Sequence, residues 1–204
     1  MHMPLRGLYA ITQPENKSPD ALLAEVEAAI RGGAVIVQYR DKNPIDASHL
    51  AKQLLTLCQR HSVPLLINDN AELAASIGAN GVHLGQEDGA IELARKLLGA
   101  NAIIGVSCYN SLERAIAAQE QGADYVAFGR FFPSGSKPLA APAQLDTLHQ
   151  AKALLTLPIV AIGGILPENG QCLLDAGADL LAVIGGLFDS EVETSARAYS
   201  QLFK

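Results

Sequence analysis

Short apolar runs alternate with longer stretches of helical periodicity along the whole chain. The runs predict eight strands, at Leu8–Thr12, Val35–Arg40, Pro64–Asn68, Gly81–Leu84, Ile103–Val106, Tyr125–Gly129, Ile159–Ile162 and Leu180–Ile184. Between them apolar residues recur at steps of three and four, as in Leu22, Leu23, Val26 and Ile30, which is typical of one helix face. Strands that alternate with helices in this way predict a parallel sheet.

A faint internal repeat indicates how that sheet is arranged. Glycine–alanine pairs that begin at Gly33, Gly78, Gly122 and Gly177 each close a helical stretch and precede every second predicted strand. Glycine suits the end of a helix because it tolerates positive φ. A unit of two strands therefore recurs four times. This pattern favours an α/β fold, a single-domain (β/α)8 TIM barrel over residues 1–204, rather than an open doubly wound sheet.

Composition and charge exclude several classes of protein. The chain has 15 basic and 21 acidic side chains, with a net charge of −6 that is spread along its length. Such a charge does not attract polyanions, so we expect no nucleic-acid partner. No apolar stretch reaches the roughly 18 to 20 residues that a membrane helix needs, and the first residues lack an apolar signal core. We therefore expect a cytoplasmic protein with no membrane partner, while a homo-oligomer stays open.

The three cysteines do not suggest a metal site or a disulfide framework. Cys58, Cys108 and Cys172 are far apart and lack the paired spacing of zinc ligands. Cys58 and Cys172 fall at apolar positions of helical patterns, where we expect them to pack as small hydrophobic residues.

Candidate chemistry is expected at the carboxyl ends of the strands, because these form the mouth of such a barrel. The second predicted strand ends with Gln38 and Arg40, which share one face, and Lys42 follows in the loop. A buried arginine is costly without an anion, whereas a phosphate gives it paired charge-assisted hydrogen bonds. This strand end predicts an anion site. The alternative is a surface ion pair of Arg40 with Asp41 or Asp46.

The third and fourth predicted strands are each followed by a carboxylate. Asp69 comes directly after Asn68, and Asp88 follows the fourth strand. Neighbouring strands lie about 5 Å apart, so both carboxylates can reach one cation. Carboxylate, water and phosphate oxygens are typical Mg²⁺ ligands. Alternatively, each aspartate caps a helix. With the basic residues of the adjacent strand, the pair predicts Mg²⁺ that carries a diphosphate.

The fourth and fifth strands contribute a histidine and a serine. His83 alternates with apolar neighbours within its strand, and we expect it to be a hydrogen-bonded structural residue. Ser107 is expected at the rim of the mouth, with Cys108 pointing away from its face. No nucleophile elbow surrounds Ser107 and no histidine is expected to serve it, so nucleophilic catalysis has little support.

The last predicted elements of the mouth are a long loop and two glycine pairs. The loop over residues 129–142 contains Ser134, Ser136 and Lys137, which suit a lid that donates to phosphate and excludes water; the alternative is a solvated loop. Strands seven and eight end in Gly163-Gly164 and Gly185-Gly186, whose backbone N–H groups predict a second anion site.

Taken together and in this order, the motifs resemble the thiamine-phosphate synthase family. The matching segments lie at residues 9–12, 38–42, 67–69, 81–88, 105–107, 132–137 and 162–165. The resemblance implies a TIM barrel that joins 4-amino-5-hydroxymethyl-2-methylpyrimidine diphosphate to 4-methyl-5-hydroxyethylthiazole phosphate and releases pyrophosphate. It also implies a dissociative displacement in which Mg²⁺, Arg40, Lys42 and Lys137 neutralise the departing diphosphate.

The resemblance further implies three sets of site residues. The pyrimidine diphosphate is held by Gln38, Arg40, Lys42, Asn68, Ser107 and Lys137. The Mg²⁺ ligands are Asp69 and Asp88. The thiazole phosphate is held by Ser134, Ser136, Gly164, Ile184 and Gly185. The chain departs from the family pattern at Asn70, where many members carry arginine, and at Gly185, where serine is common. The two lid serines stand where threonine is usual.

Two other functions compete with this interpretation. One is a thiazole tautomerase-like isomerase, which shares the barrel; that branch tends to lack the two metal motifs and uses a histidine near the position of Arg130. The other is a noncatalytic regulator that binds a phosphate ligand. The metal motifs argue against the isomerase, and the intact lid and metal residues argue against the regulator.

Overall fold

The barrel predicted from the sequence is confirmed. The computed structural model describes residues 2–42, 46–85, 90–133 and 141–204. The parallel strands pair in chain order and β8 closes the barrel onto β1. The strands are β1 Gly7–Ile11, β2 Ala34–Tyr39, β3 Leu65–Asn68, β4 Gly81–Leu84, β5 Ile103–Tyr109, β6 Tyr125–Gly129, β7 Ile159–Ile162 and β8 Leu180–Val183. Their bounds agree with the prediction to within one residue, except that β5 continues through Ser107 to Tyr109.

Helices follow the strands and cover the outside of the barrel. They are α1 Pro19–Arg31, α2 Ala47–Arg60, α3 Ala71–Ile77, α4 Ile91–Leu98, α5 Leu112–Glu120, α6 Leu145–Leu154, α7 Pro167–Asp175, α8 Gly185–Phe188 and α9 Val192–Gln201. Local chemistry fixes several starts: Ser18 precedes α1 and its side chain accepts from the backbone N–H of Ala21, with Pro19 at the first helical position.

The repeat seen in the sequence has a structural purpose. All four repeat glycines have positive φ, from 71° at Gly78 to 114° at Gly177, as a reversal from helix to strand requires. In three copies the side chain two residues later accepts a hydrogen bond from a backbone N–H at the start of the preceding strand. The pairs are Asn80 with Leu65, Asp124 with Ile104, and Asp179 with Ile159, at 2.7–2.9 Å. In these three copies the hydrogen bond connects the two strands of the unit at their amino ends.

Replacing Asp179 by alanine is expected to lower the free energy of unfolding by about 1–3 kcal/mol, because the N–H of Ile159 loses its side-chain acceptor and Lys152 loses its ion-pair partner. Urea denaturation measures the change. The matched control is Lys152→Met, which removes the ion pair and keeps the hydrogen bond from Ile159. Equal effects of the two substitutions would contradict a role for Asp179 in strand pairing.

The core has two layers. Leucine, valine and alanine side chains fill the space between strands and helices, and Cys58 and Cys108 are buried there. A second cluster fills the barrel interior with residues such as Tyr9 and Tyr125. The prediction that Cys172 is a core residue is wrong, since it is exposed. Its neighbour Leu173 occupies the inward face of α7 instead.

Within the described part of the chain, no helix is both long and apolar enough to cross a membrane.

Candidate active site

A cavity of about 1390 Å³ opens at the carboxyl ends of the strands. It is bounded below by the side chains that fill the barrel interior, and its walls combine polar side chains from β2 to β5 with glycines from β6 to β8. The cavity brings together all the predicted site residues that fall in the described ranges: Gln38, Arg40, Lys42, Asn68, Asp69, Ser107, Gly164, Ile184 and Gly185. Asp88, Ser134, Ser136 and Lys137 lie outside the described residues.

The end of β2 carries the basic wall of the cavity. Thr12, which is fully buried, fixes this end: its hydroxyl donates to the carbonyl of Arg40 and accepts from the N–H of the same residue, at 3.1 and 2.9 Å. Among the described residues neither Arg40 nor Lys42 forms an ion pair, so the alternative of a surface pair is wrong for that part of the chain. Asp46 instead caps α2. Two cations therefore face the cavity without a described carboxylate partner.

The end of β3 presents an aspartate at the rim. Asp69 has left-handed backbone geometry, with φ 61°, and its N–H donates to the carbonyl of His83 on β4 at 2.8 Å. Its carboxylate accepts from the Asn68 amide at 2.6 Å. The helix-cap alternative is wrong for Asp69, because Asn70 caps α3. Asp69 is exposed and lines the cavity, and the hydrogen bond from Asn68 orients its carboxylate.

A Mg²⁺ ion fits this wall in its chemistry. Oxygen donors of the kind that Asp69 offers are what Mg²⁺ takes, together with water and phosphate oxygens. Among the described residues no group of three or more His, Cys, Asp or Glu side chains could hold a metal ion.

The opposite wall is formed by glycines. Gly163 and Gly164 have φ of 105° and 64°, and both line the cavity with Gly185 and Gly186. A Cβ atom on Gly164 would collide with Phe132 and with the carbonyl oxygen of Pro133. Glycine therefore lets the chain after β6 lie directly against the end of β7.

Both sides of the predicted lid loop start from this wall. The N–H groups of Phe131 and Phe132 donate to the carbonyls of Ile162 and Gly163, at 3.2 and 3.0 Å. On the return side, the N–H of Ala143 donates to the carbonyl of Arg130 at 2.7 Å. The described residues on either side of residues 134–140 are thus hydrogen-bonded to the chain at the ends of β6 and β7.

The interior end of the cavity holds a hydrogen-bonded chain that the sequence analysis missed. Gln38 Nε2 donates to Tyr9 Oη at 2.7 Å, and Tyr9 Oη lies 2.8 Å from Tyr125 Oη. Tyr125 Oη lies 2.8 Å from His83 Nδ1, and His83 Nε2 lies 2.9 Å from Ser107 Oγ. This hydrogen-bonded chain crosses the barrel from β2 to β5. All of its members line the cavity apart from Tyr125.

The hydrogen-bonded chain corrects one prediction made from the sequence about Ser107 and confirms another about His83. A histidine does contact Ser107, contrary to expectation, whereas the prediction that the His83 side chain is hydrogen-bonded is confirmed, with partners on β5 and β6. The signal lay in strand register: His83 pairs with Gly105, two residues before Ser107 on the same face. Gly105 also makes room for Tyr125, whose ring would collide with a Cβ atom there.

Known proteins resemble this chain over almost its whole length. Residues 8–187 match the family model described as thiamine monophosphate synthase. The chain is 52% identical over 206 residues to a thiamine-phosphate synthase of Nitrosococcus oceani, covering 100% of this chain and 95% of the relative. It is 54% identical over 202 residues to that of Marinobacter nauticus, covering 97% and 90%.

A solved structure extends the likeness to three dimensions. Thiamine phosphate pyrophosphorylase from Pyrococcus furiosus superimposes with a TM-score of 0.87 at 32% identity, covering 97% of this chain and 95% of that one. The family match spans the strands that form the cavity and the loops between them. The chain belongs to the thiamine monophosphate synthase family.

Proposed function

We propose that the chain is a transferase that joins 4-amino-5-hydroxymethyl-2-methylpyrimidine diphosphate to 4-methyl-5-hydroxyethylthiazole phosphate, forming thiamine phosphate and pyrophosphate. Relatives at about half identity over the full chain carry the name thiamine-phosphate synthase. The observation that carries the proposal is the cavity itself, in which the cations Arg40 and Lys42 face a wall of glycines. These two walls suit two phosphorylated substrates at once.

The pyrimidine diphosphate is assigned to the polar wall. Arg40 presents a planar guanidinium that can bind two phosphate oxygens, and Lys42 adds a second positive charge at the rim. Lys137 is assigned the same role from the lid. Gln38, Asn68 and Ser107 are assigned to the rest of the substrate. These cations match the negative charge that grows on the diphosphate as it leaves.

The thiazole phosphate is assigned to the glycine wall. Gly164 and Gly185 line the cavity, and their backbone N–H groups are the proposed donors to the phosphate. Ile184 packs against the barrel-interior cluster and places an apolar side chain beside them. Ser134 and Ser136 are assigned as further donors from the lid. Gly185 in place of serine removes one side-chain donor, a change worth about 1 kcal/mol.

The reaction then needs no general base from the protein. The bond between the pyrimidine methylene carbon and the diphosphate oxygen breaks, and its electron pair leaves with the diphosphate. The thiazole nitrogen contributes its lone pair to the resulting cation and forms the new carbon–nitrogen bond. The barrel orients the two substrates and excludes water, which would otherwise trap the cation.

Mg²⁺ is assigned to Asp69 and Asp88. When bound there, the ion would neutralise charge on the diphosphate as a Lewis acid. Asp69 supports this assignment because its carboxylate is exposed at the cavity rim and is oriented by Asn68. A cytoplasmic location and a homo-oligomer stay predictions from the sequence.

Incubating the purified chain with both substrates and Mg²⁺ tests the proposal. We expect thiamine phosphate and pyrophosphate in equal amounts, measured by chromatography and a coupled pyrophosphate assay. Omitting either substrate is the control and should give no product. An isomerase would convert a thiazole precursor without the pyrimidine substrate, and a regulator would bind ligands without turnover; either result would overturn the proposal.

A further inference from the structure

The hydrogen-bonded chain from Gln38 to Ser107 is built from groups that are almost completely buried. The exposed fractions are 2% for Gln38, 1% for Tyr9, 0% for Tyr125 and 9% for His83. Burial raises the pKa of Tyr125 well above its ordinary value and also raises that of Tyr9. Both phenols therefore keep their protons, and each has one hydrogen to donate.

A single hydrogen on each phenol gives the chain a direction. Tyr9 accepts from the Gln38 amide and can donate its own hydrogen to Tyr125. Tyr125 can then donate to His83 Nδ1. An imidazole that accepts at Nδ1 carries its hydrogen on Nε2, from which it donates to Ser107 Oγ in this arrangement.

The direction fixes what the two ends offer to a ligand. At one end, the Gln38 amide donates one of its two N–H hydrogens to Tyr9, and its carbonyl oxygen can accept from a ligand. At the other end, Ser107 Oγ accepts from His83 and has no other hydrogen-bond partner in the described part of the protein, so its hydrogen is available for donation into the cavity. One end accepts and the other donates.

Packing holds the middle of the chain in place. The rings of His83 and Tyr125 stack with centroids 5.6 Å apart and an interplanar angle of 22°. Tyr9 meets Tyr125 edge-on, with centroids 5.9 Å apart. The Tyr125 ring fills the space that the absence of a side chain at Gly105 leaves. The hydroxyl groups are therefore preorganised rather than selected by the substrate.

We propose that Tyr9, Tyr125 and His83 are positioning residues that make Gln38 an acceptor and Ser107 a donor, and thereby orient the pyrimidine ring in the cavity. The inference rests on the proposed function, since it takes Gln38 and Ser107 to contact that substrate. An aminopyrimidine presents the complementary pair, an amino group that donates and ring nitrogens that accept. The hydrogen-bonded chain connects Gln38 on β2 with Ser107 on β5, which form no hydrogen bond with each other.

The first test determines the direction of the hydrogen-bonded chain in the protein without substrate. In the protein labelled with 15N-histidine, long-range proton–nitrogen spectra report which ring nitrogen carries hydrogen, and His83→Asn assigns the signals. We expect neutral His83 with its hydrogen on Nε2 at neutral pH. Gln38→Met should shift the His83 nitrogen signals in the wild-type background and leave them unchanged in the Tyr125→Phe background. Hydrogen on Nδ1, or no response to Gln38→Met in the wild-type background, would overturn the proposal.

The second test uses Tyr125→Phe in the assay, because it removes one hydroxyl and keeps the ring. We expect KM for the pyrimidine diphosphate to rise about fivefold or more, while KM for the thiazole phosphate changes less than about twofold. Tyr199→Phe is the control: it removes a buried hydroxyl that donates to Ile165, outside the chain. It should leave KM for the pyrimidine substrate unchanged.

The outcomes separate this inference from the proposed function. If the wild-type protein makes no thiamine phosphate, the proposed function fails, while the spectra still report whether the chain has the stated direction. If the wild-type protein is active and Tyr125→Phe raises both KM values equally, or neither, the function stands and the positioning role is overturned.

Discussion

Replacing Arg40 by methionine is expected to lower kcat/KM by about 100- to 1000-fold, because a charged donor to the departing diphosphate is lost. Methionine keeps the apolar part of the side chain. Arg40 has no ion-pair partner among the described residues, so the free energy of unfolding should change by less than about 0.5 kcal/mol. Steady-state kinetics and urea denaturation measure the two quantities.

Arg60→Met is the matched control for this prediction. Arg60 is an exposed arginine in the last turn of α2 and does not line the cavity. The substitution removes the same charge from the protein and should leave kcat/KM near the wild-type value. Comparable losses for the two variants would point to net charge rather than to leaving-group contact. Near wild-type activity of Arg40→Met would contradict the assignment.

Replacing Asp69 by asparagine is expected to lower activity by at least about tenfold and to raise the Mg²⁺ concentration needed for half-maximal activity. The carboxylate becomes a neutral amide of nearly the same shape. Asparagine also tolerates the left-handed backbone at this position, where φ is 61°, so the fold should be retained. Kinetics over a Mg²⁺ series, started from protein treated with EDTA, measure both effects.

Glu72→Gln controls for the loss of one negative charge near this rim. Glu72 is an exposed carboxylate in the first turn of α3, three residues after Asp69, and it does not line the cavity. Its replacement should leave the Mg²⁺ dependence unaltered. Product formation that is unaffected by EDTA would refute the metal assignment for Asp69 altogether.

The strand bounds were predictable because each predicted strand is a short apolar run that ends where polar residues or glycine follow. The four glycines of the repeat mark where helices end, and positive φ at each of them explains why. β5 was predicted three residues too short, because Ser107, Cys108 and Tyr109 do not form an apolar run. A register shift in its pairing with β6 accompanies this extension.

The interior chain shows why the site was only partly predictable. Gln38 was predicted to face the cavity because it alternates with Arg40 along one strand. No such signal marks Tyr9 and Tyr125 in the sequence, because each lies in an apolar run, which predicts a hydrophobic core residue. Their hydroxyl groups meet only because β1 and β6 face one another across a closed barrel.

The sequence by itself determined the closed α/β barrel, the family and the side of the barrel where polar residues collect. The barrel and its polar side follow from local periodicity and from the fixed direction of parallel strands, which need no long-range information. The family follows from the resemblance of the motifs in their order along the sequence. Only the tertiary structure decided that Arg40 lacks a described ion partner, that His83 contacts Ser107, and that two buried tyrosines connect this pair to Gln38. Such contacts depend on register and ring packing between strands that are distant in the chain, and a few tenths of an ångström decide whether a hydrogen bond forms.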